Sequence, residues 1–126
     1  MKKFLAVLMM LPLLACADSS DVKPGMGSSF NITQRKYDRI WNASIVAVTD
    51  SGMAILESDK EKGVIKAEKG AGLASWGEIV GVFITPPGGA NKYTVEVVSL
   101  KRSTTQITGQ NWEQSISQRI KSELSM

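Results

Sequence analysis

Histidine is absent from the 126 residues, and cysteine occurs once, at Cys16. The first absence excludes Ser-His-Asp and Cys-His catalysis and zinc sites of the His/Cys type. The second excludes any intramolecular disulfide. No apolar run approaches the roughly 20 residues a membrane-crossing helix needs; residues 4–14 are apolar, but the run is short and Pro12 interrupts it. The glycine-rich stretches Gly70-Ala71-Gly72 and Pro87-Gly88-Gly89 lack the lysine and hydroxyl spacing of a phosphate loop and the fingerprint of a dinucleotide fold. No calcium-type loop of regularly spaced oxygen ligands is present. Glu57, Asp59 and Glu61 gather along the chain, but Lys60 and Lys62 alternate with them, the pattern of a solvated turn. The expectation is therefore a non-enzyme, with no catalytic residue, no metal site and no cofactor.

One-signed charge is also lacking. The formal net charge is +3, from 15 basic and 12 acidic residues, and losing Lys2 and Lys3 with a leader would leave +1. That removes most of the case for a basic nucleic-acid binder, and no nucleic-acid partner is expected.

What is present begins at the start of the chain. Met1-Lys2-Lys3 is a short positive segment, followed by the apolar run of residues 4–14 and then Leu13-Leu14-Ala15-Cys16. Such a run suits a secretory signal peptide. The tetrapeptide resembles the bacterial lipobox. That resemblance implies cleavage between Ala15 and Cys16, and a diacylglyceryl group on the Cys16 thiol. Residues 1–15 are then a lipoprotein signal peptide. Residues 16–29 are the lipidated cysteine and a flexible tether rich in Ser, Gly, Asp and Pro, with a reach of about 20 Å. Residues 30–126 form a single domain. Two acyl chains or more hold a protein durably at a bilayer. Ala17 follows the cysteine and an aspartate comes only at Asp18, which is similar to the enterobacterial pattern for sorting to the outer membrane. The expected location is that membrane, lipid-anchored and facing the periplasm.

Within residues 30–126, Tyr37, Trp41, Ile45 and Val48 recur at helical spacing, widened by Ile40, Ser44 and Ala47. They predict a helix over 34–51, with Thr33 as N-cap and Gly52 as left-handed C-cap. Residues 53–58 and 64–68 read as strands joined by a polar turn ending in Gly63. Residues 79–85, continuously apolar, and 92–100, alternating, read as a hairpin across Pro86-Pro87-Gly88-Gly89. Trp112, Ile116, Ile120 and Leu124 step by four through a second helix capped by Asn111, where Gln114 could complete a capping box. With a short strand near Phe30, the order is β-α-β-β-β-β-α. This is an α+β two-layer sandwich, a four-to-five-stranded antiparallel sheet with two helices on one face.

The pattern from Tyr37 and Trp41 through Gly52 and Asp59 to Gly63-Val64-Ile65, with the terminal tryptophan helix, resembles the helix-grip modules of the C component of the β-barrel assembly machine. The resemblance implies a helix-grip-like fold, with a single module here. With the lipobox it implies a membrane-anchored, non-catalytic periplasmic module that binds an outer-membrane or periplasmic protein. The alternative expectation is a binder of a lipid or small amphiphile in a helix–sheet groove. Trp41 and Trp112 lie on apolar stripes and are expected in the core. Trp76, in a glycine-rich loop with Leu73, is expected either to plug the core or to serve with Leu73 as a partner anchor.

Overall fold

Short strand segments, alternating in β5 and continuously apolar in β4, are separated by Gly- and Pro-bearing turns and produce the sheet, and the two apolar stripes produce the helices. The computed structural model describes residues 19–70, 77–101 and 112–126. The elements are β1 (Ser28–Thr33), α1 (Tyr37–Asp50), β2 (Ala54–Asp59), β3 (Val64–Lys69), β4 (Glu78–Thr85), β5 (Lys92–Lys101) and α2 (Trp112–Glu123). The strands form one five-stranded antiparallel sheet in the order β1-β5-β4-β3-β2. The fold is α+β, in the element order that the sequence predicts. Consecutive hairpins run from β2 to β5, and α1 carries the chain from one edge of the sheet to the other.

The two faces of the sheet are covered differently. Ile65 and Ala67 of β3, Val80, Val82 and Ile84 of β4, and Tyr93, Val95 and Val97 of β5 join Ile40, Trp41, Ala47 and Val48 of α1 and Trp112, Ile116, Ile120 and Leu124 at the other helix in one buried cluster. The alternate residues Ile79, Phe83 and Val98 form a second cluster with Val22. β4 is consequently buried on both sides over seven of its eight residues, which accounts for its continuous apolar sequence.

The helix boundaries differ from expectation for a topological reason. β1 stays paired to β5 as far as Thr33, opposite Lys92, so Thr33 belongs to the ladder and does not cap a helix. Gln34, at φ 59°, then turns the chain. Lys36 occupies the N-cap position without a side-chain cap bond, and α1 starts at Tyr37. The apolar stripe is also rotated. The fully buried positions are Ile40, Ser44, Ala47 and Val48, whereas Tyr37 and Ile45 sit at its margin. Small residues at the centre let the helix approach the sheet, and the Ser44 hydroxyl is satisfied by donating to the Ile40 carbonyl at 2.8 Å. Gly52 does take the left-handed conformation beyond the helix, at φ 82°. In α2 the residues expected in the core, Trp112, Ile116, Ile120 and Leu124, are all buried. Asn111 lies outside the described residues.

The segment expected to be a tether behaves otherwise in the part described. Ser19–Asp21 form a short 3-10 turn, Val22 is fully buried, and β1 already begins at Ser28. The reason is a steric match. A Cβ on Gly81, in the middle of β4, would lie 2.4 Å from the Val22 Cγ1. The absence of a side chain there makes the slot that Val22 fills. The Glu96 carboxylate accepts the N–H of Gly25 at 2.8 Å and that of Gly27 at 2.9 Å. Residues 19–27 thus cross the sheet as a strap, on the face opposite the helices.

Candidate functional site

Ala15, Cys16, Leu73 and Trp76, the residues singled out from the sequence for lipid attachment and partner contact, lie outside the described residues. The turn carboxylates are placed. Asp59 accepts the Lys62 N–H through Oδ1 at 3.1 Å and through its carbonyl at 3.2 Å, so it closes the β2–β3 turn. Glu57 faces the Lys66 ammonium at 3.9 Å. Two lysines of this hairpin are tied into the structure: Lys60 pairs with Asp38 at 2.8 Å, and Lys66 donates to the Ser19 carbonyl at 2.9 Å. Among the described residues no three His, Cys, Asp or Glu side chains are gathered so as to hold a metal ion.

Among the described residues, two grooves flank the helices. The larger, about 710 Å³, lies between the start of α1 and the β4–β5 turn, with Arg35, Lys36, Tyr37, Asp38, Asn91 and Tyr93 in its lining. The Gln34 N–H donates to the Asn91 carbonyl at 3.4 Å, which ties the approach to α1 to the end of the Gly-rich turn. Tyr37 also walls a recess of about 410 Å³ against Lys60, Glu61 and Pro87. Its ring stands 5.6 Å from that of Tyr93 and 6.5 Å from that of Trp41. Its hydroxyl donates to the Lys60 carbonyl at 2.7 Å. Burial, and then the neighbouring Tyr93, Asp59 and Asp38, hold its pKa above the ordinary phenol value. Tyr37 is therefore a wall with its proton already committed, not a base. A hydrogen bond from Lys60, and the charge of that lysine, hold the Asp38 carboxyl below its ordinary value. Arg35 spends its guanidinium on the Leu124 carbonyl at 3.1 Å. The groove can orient a polar group by hydrogen bonds and charge.

The second groove, about 330 Å³, runs between the edge strand β1 and α2, lined by Ser28, Phe30, Glu113, Ser117, Gln118 and Lys121 among others. Glu113 accepts from the Ser28 hydroxyl at 3.0 Å and from the Ser99 N–H at 3.3 Å, which clamps α2 to β1 and β5. The Lys121 ammonium sits 4.7 Å above the Phe30 ring. Between helices and sheet, Ile40, Val48, Ile65, Val82, Val95 and Ile116 fill the interior, so the grooves are surface features.

Sequence reasoning missed the strap and its receptor Gly81. The signal available was a glycine inside an otherwise apolar strand, which marks a close approach, together with one valine in a polar segment. It also missed Tyr37 as a groove wall, because helical spacing assigns that residue to the core. No protein-family model matches the chain, and no curated protein matches it.

Proposed function

We propose that the protein is a bacterial lipoprotein, anchored through acyl chains on Cys16 in the outer membrane, whose periplasm-facing domain acts by non-covalent binding as an accessory module of the cell envelope. The observation that carries the reading is the Leu13-Leu14-Ala15-Cys16 sequence at the end of a short apolar run. No helix of the described residues is long and apolar enough to cross a membrane, so durable attachment of such a domain falls to the acyl chains. The mechanism is confinement. A domain held at the membrane meets other membrane-bound proteins at raised effective concentration, and modest affinity then suffices. The polar grooves beside α1 and α2, with Leu73 and Trp76 as candidate anchors, are the contact surfaces assigned to that partner. Radiolabelled palmitate should enter the wild-type chain and not a Cys16→Ser variant, and that variant should leave the membrane fraction. A variant that still fractionated with envelopes would overturn the reading. Crosslinking in intact cells would then identify the partner.

A further inference from the structure

We propose that the strap of residues 19–27 fixes how the domain sits on its membrane, holding the β2 edge, with Ile55 and Leu56, against the bilayer surface. The inference rests on the reading of Cys16 as the acylated residue.

The course of the strap gives the direction. At its end nearest β1, Gly27 passes so close to β5 that a Cβ there would lie 2.0 Å from the Val97 carbonyl oxygen. Val22 lies over Gly81 of β4. At the other end, the Ser19 carbonyl accepts the Lys66 ammonium of β3 at 2.9 Å. The chain therefore reaches its anchor on the β3 side of the sheet, where the one remaining strand is β2. Cys16 precedes Ser19 by three residues, a span of at most about 11 Å when fully extended. β2 lies only about 5 Å beyond β3, within that span, whereas the helix layer lies about 10 Å beyond the sheet, on the face opposite the strap, with the sheet between. A lipid on Cys16 thus keeps the bilayer near β2 and away from α2.

β2 is suited to that position. Ala54 to Ser58 are all exposed, with Ile55 at 37% and Leu56 at 45%. The register passes from Ile55 opposite Ala67 to Glu57 opposite Lys66, so Leu56 is a bulge. Lys66 is also the residue that holds Ser19, which puts the bulged leucine level with the start of the strap. A bulge breaks the flat ladder that strand addition by a partner protein requires. A bilayer surface makes no such demand and accepts apolar side chains directly. Asp59 and Glu61 alternate with Lys60 and Lys62 in the turn of this hairpin, so the contact is apolar in origin and is expected on zwitterionic lipid as well as on anionic lipid.

The test uses the full lipidated protein in phosphatidylcholine vesicles and in mixed phosphatidylethanolamine–phosphatidylglycerol vesicles. A nitroxide is placed at Ser58→Cys on β2 or at Ser122→Cys on α2, the Cys16 thiol being blocked by its lipid. The ratio of oxygen to water-soluble nickel accessibility should be several-fold higher at position 58 than at position 122 in both vesicles. Gly81→Val and, independently, Val22→Asp should release the strap and bring the two sites to equal ratios while the protein remains vesicle-bound. Circular dichroism checks that each variant is folded. Ile55→Ser with Leu56→Ser should lower the ratio at position 58 with the strap intact. Equal, water-like ratios at 58 and 122 in protein that has incorporated palmitate would overturn the orientation and leave the lipoprotein reading standing. A higher ratio in anionic vesicles alone would overturn the apolar origin of the contact. Failure of palmitate incorporation would instead overturn the reading on which the proposal rests.

Discussion

The helix-covered and strap-covered faces of one sheet are held by different means. On the first, two helices bring repeated large apolar side chains onto β3, β4 and β5, and the loss of any one is shared among many neighbours. On the second, a single valine enters a slot left by one glycine, and the Glu96 carboxylate accepts two N–H groups of the strap, those of Gly25 and Gly27. Redundant packing makes the first face the source of stability. The second is local, so it can open without unfolding the domain.

That contrast is sharpest where substitutions on the two faces are compared. Ile116→Ala on α2 removes a fully buried side chain and should lower the unfolding free energy by about 2–5 kcal/mol. Urea denaturation should show the shift by every probe at once. Gly81→Val places a side chain where Val22 now sits and should cost about 1–3 kcal/mol. It should also expose residues 19–27 to limited proteolysis while residues 30–126 survive. Global unfolding at the same protease dose would mean the two faces are one cooperative unit. Glu96→Gln keeps the shape and removes the charge that accepts from Gly25 and Gly27. As the site is exposed, the loss should be about 1 kcal/mol. It should be read as faster hydrogen exchange at those two amides, with exchange in β4 unchanged.

The smallest effect concerns neither face but the first turn of α1. Lys60 holds the Asp38 carboxyl below its ordinary value, so the folded chain binds that proton more weakly than the unfolded one. The stabilisation is present above the ordinary aspartate value of about 3.9, and it disappears as pH falls through the lowered folded value. Both groups are largely solvated, so the contribution is slight. Thermal midpoints of the wild type and Asp38→Asn should differ a little at neutral pH and converge in acid.

The elements with a regular period were legible before folding. Trp112, Ile116, Ile120 and Leu124 named the buried face of α2 because four-residue steps leave no other solution. The alternation of β5 and the unbroken apolar run of β4 gave a central hairpin. Gly52 and Gly63 marked turns whose left-handed φ values favour glycine. The centre of the α1 stripe was less legible. Periodicity counts large residues, whereas close packing on a sheet favours Ser44 and Ala47 at the point of contact.

The element order, the α2 core stripe and the exclusion of histidine chemistry and of an intramolecular disulfide follow from composition and local period alone. Long-range packing was needed to spend Thr33 on a strand, to make Tyr37 a groove wall, and to bury Val22 rather than leave it adrift in a tether. Each of those outcomes depends on what a distant strand offers: the ladder of β5, the turn after β4, the bare backbone of Gly81. Contacts between residues far apart in the chain leave no period along it, so such choices are settled when the sheet assembles.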